Sequence, residues 1–322
     1  MKAAVVTQTG VEIREVPAPV PGRNQVLVRV RACGLNRADL GVAAGHMHGT
    51  VGGPGTIVGM EFAGEVAEVG AEASAVKPGE RVMCSGAGAF AELAVADWGR
   101  AIPIPAGMSF EQAATLPVAL QTMHNALVTA GRLAAGESVL IQGASSGVGL
   151  MALQIAKHMG AALVIGTSTN AMRREKLKAF GADLAIDTTD PAWPDAVLAA
   201  TGGKGVHLII DQVSASVANA NMKAARVLGR IVNVGRLGGA KGEFDYDLHA
   251  LKRIDYIGVT FRTRSIEEVR EINRRMRADL WGAIEAGTLR LPLDRSFPLA
   301  EAAAALAHMR ANAHFGKIVL SA

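Results

Sequence analysis

Seven residues, Gly143-Ala-Ser-Ser-Gly-Val-Gly149, offer the clearest chemistry in the chain. They lie between an apolar run, Ser138-Val-Leu-Ile-Gln142, and a helix-patterned run over 147–159. Strand, glycine-rich turn and helix start, in that order, aim backbone amides and the positive end of a helix at one point. That arrangement holds the pyrophosphate of a dinucleotide. Ser146, Gly147 and Val148 are the expected contacts. The spacing is a variant of GxGxxG, so the flanking strand and helix carry the reading more than the glycines do; the bland alternative is a structural turn.

The end of the next strand discriminates between cofactors. An acidic residue ~20 positions beyond the glycines would hold the ribose hydroxyls of NAD. Here Thr167, Ser168, Thr169 and Asn170 carry no charge, and Arg173, Arg174 and Lys176 follow. A missing carboxylate beside a guanidinium suits a 2′-phosphate, so the expected cofactor is NADPH, with Ser168 and Arg173 as contacts. The competing account makes these bases a solvated helix face, most of all Lys176 and Lys178.

Other reactive types are sparse. Glu61 stands between glycines in Gly59-Met-Glu-Phe-Ala-Gly64, at the entry to an alternating, strand-like run. Cys33 and Cys84 are far apart and form no CxxC pair, and His46 and His48 are the only close histidines. Neither set supplies the four close ligands of a structural zinc site, so no metal is expected. A net charge of +4 fits a protein that binds a polyanionic cofactor. No dense basic run with interleaved aromatics appears, which argues against nucleic acid. No apolar run approaches the ~20 residues of a membrane helix. The opening MKAAVV is too short for a signal peptide and meets Glu12 early, so it reads as a first strand and the protein as cytoplasmic.

The elements that position these residues change character along the chain. With 322 residues, two domains are expected. Residues 1–118 hold short alternating runs such as Gln25-Val-Leu-Val-Arg-Val-Arg31, broken by Pro21-Gly22, Gly52-Gly53 and Pro78-Gly79. This predicts a small β-rich domain, a distorted barrel. From about residue 120, strand runs alternate with helical ones: 162–167, 206–211, 230–234 and 255–260 as strands, 171–180 as a helix. That pattern predicts an α/β fold with a parallel sheet covered on both faces. Helices over 265–290 and 299–311 and a strand at Lys317-Ile-Val-Leu320 close the chain.

The whole chain resembles the zinc-independent quinone oxidoreductases of the medium-chain dehydrogenase/reductase superfamily. The likeness rests on Leu35-Asn-Arg-Ala-Asp-Leu40, Gly59-Met-Glu-Phe-Ala-Gly64, Val76-Lys-Pro-Gly-Glu-Arg-Val82, Gly143–Gly149, Gly229-Arg-Ile-Val-Asn-Val-Gly235 and Gly316-Lys-Ile-Val-Leu320. Phe261-Arg-Thr-Arg-Ser265 and the run from Ala311 to Lys317 look most like the p53-inducible subgroup. The resemblance implies a GroES-like β-rich domain, 1–118 with 264–322, and a Rossmann doubly wound parallel-sheet domain, 119–263. It places the active site in the cleft between them and pairs chains as homodimers. Zinc-dependent relatives have a histidine where Met60 stands and a cysteine where Asn36 stands; a thioether and an amide do not replace them as ligands. Glu61 is then expected to be a partnered structural carboxylate.

The same resemblance puts Asn36 and Thr122 beside the nicotinamide, Thr122 at the start of a linking helix. Gly235, Arg236 and the loop Phe261, Arg262 and Thr263 border the cofactor's far wall. Asn36 has a second reading, as the cap of a helix over Ala38–Ala44. Relatives often place a tyrosine just after the position of Gly45; here the run is His46-Met-His48, and the histidines are either proton donors to a reduced product or exposed loop residues. His124 either lines the same cleft or is packed. The activity implied is hydride transfer from NADPH to quinones. The alternatives are reduction of the C=C bond of α,β-unsaturated carbonyl compounds, and a non-catalytic NADPH-binding structural protein.

Overall fold

The computed structural model describes residues 1–322. Fifteen strands form three sheets. In chain order they are β1 (Lys2–Thr7), β2 (Gly10–Glu15), β3 (Gln25–Gly34), β4 (Glu61–Val69), β5 (Arg81–Ser85), β6 (Leu93–Asp97) and β7 (Ala101–Pro103). There follow β8 (Ser138–Ile141), β9 (Leu163–Thr167), β10 (Leu184–Ile186), β11 (Val206–Asp211), β12 (Ala225–Asn233), β13 (Asp255–Gly258), β14 (Leu293–Pro298) and β15 (Lys317–Ser321). The chain divides into two compact units, Met1–Gln121 with Phe261–Ala322, and Thr122–Thr260.

The first unit is built on a seven-stranded sheet in the order β14-β15-β3-β4-β5-β7, with β6 also paired to β3, and a separate β1-β2 hairpin. In β3, Val26, Val28 and Val30 are buried while Arg29 and Arg31 face solvent, so the period-two alternation decides the inner face. Phe62, Phe90, Val82, Leu306 and Ile318 belong to the core beneath it, and Met60 packs against that core. The helix Ile266–Glu285 begins in a reciprocal cap: Ser265 Oγ accepts from the Glu268 amide at 3.2 Å, and the Glu268 carboxylate accepts from the Ser265 amide at 2.8 Å.

The second unit is a six-stranded sheet ordered β10-β9-β8-β11-β12-β13, with every pairing parallel. Its strands are apolar on both faces, as a doubly covered sheet demands; Val139, Leu140, Ile141, Ile209 and Ile210 are all fully buried. The order reverses between β8 and β11, and the turn after β8 lies at that switch, where open parallel sheets bind ligands. Helix Ala171–Lys176 tightens into a 3₁₀ turn over Leu177–Phe180, shortening the helix expected over 171–180. Strand β12 begins at Ala225, five residues before the expected start at Arg230, because its pairing with β11 slips around Leu228, whose φ is 61°. No helix is long and apolar enough to cross a membrane.

Candidate functional site

In the second unit the glycine-rich turn links β8 to the helix Gly147–His158. Gly143 has φ +68°, and a Cβ on Gly149 would stand 2.6 Å from the Gly143 carbonyl oxygen. Only glycine lets the helix start this close to the turn. Ser146 caps the helix: its hydroxyl accepts from the Gly149 amide at 3.1 Å and shares its proton between Gly143 O at 2.9 Å and Gln212 Oε1 at 3.0 Å. The amides of Gly147 and Val148 lie in the first turn and have no acceptor within the helix. Together these groups present donors and a positive helix end without a side chain in the way, which fits a pyrophosphate.

A buried polar chain holds that turn. The Gly143 amide donates to Thr167 Oγ1 at 3.1 Å, Thr167 donates to Gln142 Oε1 at 2.7 Å, and Gln142 Nε2 donates to Asn221 Oδ1 at 2.7 Å. Gln212 Nε2 donates to the Gln142 carbonyl at 3.1 Å. Sequence reading missed Gln142, Thr167, Gln212 and Asn221, since none has a local signal beyond being polar in an apolar run. Nearby, Asp211 receives the Val213 and Ser214 amides at 2.8 and 2.9 Å; burial pushes its carboxyl up against them.

At the end of β9, Ser168 is buried and donates to Ser145 Oγ at 3.0 Å. Arg173 lies half-buried in the helix that Asn170 caps. Its neighbour Arg174 is committed elsewhere, donating to the Ser168 carbonyl at 2.8 Å and pairing with Asp187 at 2.8 Å. Gly235 accepts from Ser214 Oγ at 2.5 Å, while Arg236 is exposed. Thr122 corrects the expectation in one respect. It sits near the end of the helix Pro117–His124, not at its start, just before a π-helical turn over Asn125–Ala130. Such turns are wider than an α-helical turn and have no simple sequence signature. His124 is fully buried.

The first unit assembles a different cluster. Glu61 opens β4 opposite Gly34 of β3 and is fully buried. A Cβ on Gly34 would stand 2.7 Å from Glu61 Oε1 and 2.2 Å from the Ala114 carbonyl, so glycine makes the space. Glu61 Oε2 accepts from the Val118 amide at 2.8 Å, and Oε1 accepts from Asn36 Nδ2 at 2.9 Å and from the Lys317 ammonium. Lys317, 5% exposed, also donates to Asn36 Oδ1 at 3.0 Å and to the Leu35 carbonyl at 2.8 Å. Glu61 is thus a partnered structural carboxylate, as its sequence setting suggests, and the partner comes from β15. Asn36 stands at the N-cap of the helix Arg37–Ala43, yet its side chain goes to Glu61 and Lys317 and makes no cap bond. Asp39 does that work from the other side, its Oδ2 accepting from the Asn36 amide at 2.7 Å. Asp39 is fully buried and its Oδ1 has no hydrogen-bond partner. Burial pushes this carboxyl up to about 7, opposed by the Asn36 amide and the Lys317 charge and assisted by Glu61.

The loop expected to carry a proton donor gives two unlike histidines. His46 is exposed. His48 is half-buried, and burial together with the Arg262 charge holds its imidazole below the ordinary range, hence neutral at pH 7. Arg262 and Thr263 are exposed on the turn after Phe261, and the Arg264 guanidinium lies 5.9 Å from the Phe261 ring centroid. Cys33 and Cys84 are buried thiols that burial pushes up, unsuited to act as thiolates. No group of three His, Cys, Asp or Glu side chains is placed to hold a metal ion. Around Glu61 the donors are an amide and an ammonium, and a cation already fills the space beside the carboxylate. This set does not fit zinc.

Residues 22–106 match the family model of the alcohol dehydrogenase GroES-like domain, and residues 147–277 that of the zinc-binding dehydrogenase. The chain is similar to the quinone oxidoreductase of Rattus norvegicus, 30% identical over 309 residues that span 95% of this chain and 92% of the rat protein. It is also 33% identical over 302 residues to the polyketide synthase GfsB of Streptomyces halstedii, of whose length it spans 5%. A solved mycobacterial protein complexed with NADPH superposes over 100% of both chains with TM-score 0.88 and 27% identity. A chain that carries both family models in this order, and that runs nearly the whole length of the rat protein, belongs to the quinone oxidoreductase family of the medium-chain dehydrogenase/reductase superfamily.

Proposed function

We propose that the protein is an NADPH-dependent oxidoreductase that reduces quinones without zinc, and that it works as a cytoplasmic homodimer. The observation that carries the reading is the turn at Gly143–Gly149. Its amides, its serine cap and its buried polar support form a rigid anion cradle at the sheet's switch point. The likeness to the rat quinone oxidoreductase and to the NADPH-bound mycobacterial protein supports the cofactor and the acceptor.

When bound, NADPH supplies the hydride; the chain binds, orients and shields. The first amides of the helix at Gly147 hold the pyrophosphate. Ser168 and Arg173 hold the 2′-phosphate, where an acidic side chain would repel it. Gly235, Arg236 and the loop at Phe261, Arg262 and Thr263 bound the cofactor, and Asn36 and Thr122 orient its reactive end. The donor set around Glu61 supports zinc independence, because a metal there would have to displace the Lys317 ammonium. Substrates that need no Lewis acid to accept hydride are then the natural class: quinones first, activated alkenes second. The outer strand β13 ends the parallel sheet and supports pairing of two chains.

The test is loss of reduced-nicotinamide absorbance with benzoquinone and phenanthrenequinone beside cyclohexenone and acrolein, with EDTA present, for NADPH and then NADH. Quinone turnover that survives EDTA and prefers NADPH is the expected result. Enone turnover with idle quinones would move the enzyme to alkene reduction. NADPH binding without turnover would leave a nucleotide-binding structural protein.

A further inference from the structure

Lys317 stands out among the buried charges. It is the last lysine of the chain, 5% exposed, and its ammonium is engaged on three sides: the Glu61 carboxylate, Asn36 Oδ1 at 3.0 Å and the Leu35 carbonyl at 2.8 Å. An ammonium has three protons and no acceptor, so three acceptors saturate it. Its position therefore has no slack. Asn36 receives the consequence. Its oxygen faces Lys317 and its nitrogen faces Glu61 at 2.9 Å, so the two charges read the two ends of the carboxamide and forbid a flip. A flipped amide would set NH₂ against the ammonium and oxygen against the carboxylate, both repulsive. What remains is one Nδ2 proton and one oxygen lone pair for anything bound beside it. The backbone is fixed as well: the Asn36 amide bonds Asp39 Oδ2, and Lys317 holds the preceding carbonyl.

We infer that Lys317 is a positioning residue of the reductase: with Glu61 it locks the orientation of the Asn36 carboxamide, and so decides which polar atom Asn36 can offer to the nicotinamide or to the acceptor. This goes beyond a structural ion pair, and its catalytic part rests on the reductase reading above. The charged groups facing the lock are Asp39 from the helix Arg37–Ala43, Glu61 from β4 and Lys317 itself from β15, with the Cys33 thiol of β3 near Asp39.

The experiment compares Lys317→Met and Lys317→Arg with the double variant Lys317→Met/Glu61→Gln and the wild type, each as the full chain. Three readouts are taken: quinone-dependent NADPH turnover, the Kd for NADPH, and the side-chain NH₂ signal of Asn36 in protein labelled with ¹⁵N-asparagine. In Lys317→Met, kcat is expected to fall about tenfold or more, since small misplacements near reacting groups are costly. The Kd for NADPH stays within about twofold, because the cradle lies on other elements. The double variant does not regain kcat, as the contact to Asn36 Oδ1 is still missing. The Asn36 NH₂ pair shifts and exchanges faster in every Lys317 variant. If Lys317→Met does not fold, Lys317→Arg keeps the charge but not the three-way contact, and it should show the same fall in kcat and the same NMR change.

A folded variant with wild-type kcat and an unmoved Asn36 signal overturns the inference. So does a parallel fall of kcat and NADPH affinity that tracks the folded fraction, which would mark a structural pair only. If the wild type turns over no quinone and no enone, the reductase reading fails. The orientation lock is then decided by the NMR signal alone: a moved pair upholds it and an unmoved pair overturns it.

Discussion

Replacing Asp39 by asparagine isolates the electrostatics of the cluster around Glu61. The carboxyl is fully buried, has one oxygen without a partner, and moves from 3.8 in a solvated chain to about 7 in the fold. Because the fold binds this proton more tightly than the open chain does, its contribution is fully present in acid. It is lost as pH rises through the range from about 4 to about 7. At about 1.4 kcal/mol per pH unit, roughly 4 kcal/mol is gone by pH 8 and about 1.5 kcal/mol by pH 5. The window from pH 5 to pH 8 therefore spans roughly 3 kcal/mol. Asparagine keeps an acceptor for the Asn36 amide and does not titrate. Its NH₂ stands where Asp39 Oδ1 lacks a partner, which costs about 1–3 kcal/mol at every pH. Urea unfolding of both proteins at the two pH values gives the difference directly, and titrating groups remote from Asp39 cancel in it. The wild type should lose roughly 3 kcal/mol relative to Asp39→Asn between pH 5 and pH 8. Parallel stability curves, or a wild type that gains on the variant as pH rises, would refute the claim that a desolvated carboxyl sits there.

Three further outcomes follow from the geometry. Gly149→Ala puts a methyl 2.6 Å from the Gly143 carbonyl and 2.7 Å from the Ala144 carbonyl, so the turn must open; NADPH affinity measured by titration calorimetry should fall by about two orders of magnitude while the chain stays folded. Arg173→Ala should cut the preference for NADPH over NADH by roughly tenfold or more, read as the ratio of kcat/KM values, and an unchanged ratio would return Arg173 to the solvated helix face. His48→Ala should keep turnover within about twofold at pH 7, because a neutral, partly desolvated imidazole is a poor proton donor; the same measurement on His46→Ala decides whether the exposed neighbour donates instead.

The parallel-sheet unit was largely legible because its signals are local. A strand, five turn residues and a helix start follow one another in Ser138–His158, and each predicts the next. The β-rich unit was legible at β3, where alternating valines and arginines set the inner face. The site in that unit was only half legible. Glu61 announces that it needs a partner, since an apolar strand entry does not tolerate a lone carboxylate. Nothing near it names Lys317, 256 residues away, because the pairing is made by strand order and not by sequence distance. Asn36 illustrates the same limit. An asparagine before a helix is expected to cap it, but long-range partners outbid the local amide and a buried aspartate took over the cap. The π-helical turn after Thr122 and the slip in β12 at Leu228 were invisible for a related reason: neither leaves a period in the sequence.

The distance from Glu61 to Lys317 also sets a timetable. Residues are added at roughly 5–20 per second, so the ribosome releases Lys317 about 13–50 seconds after Glu61. The whole stretch Thr122–Thr260 emerges in that interval, and it is continuous, so it can collapse around its own sheet while synthesis proceeds. The first 121 residues cannot finish: β3 lacks β15 along one edge, and a carboxylate destined for a dry interior has no counter-ion. During that wait the nascent chain leaves the edge of β3 unpaired at Ala32–Gly34, beyond the stretch that β6 covers, and an open strand edge is the kind of surface that other chains can add to. Closure of the first unit therefore waits for β15, whose lysine neutralises the carboxylate and whose backbone pairs with β3 at Ala32–Gly34.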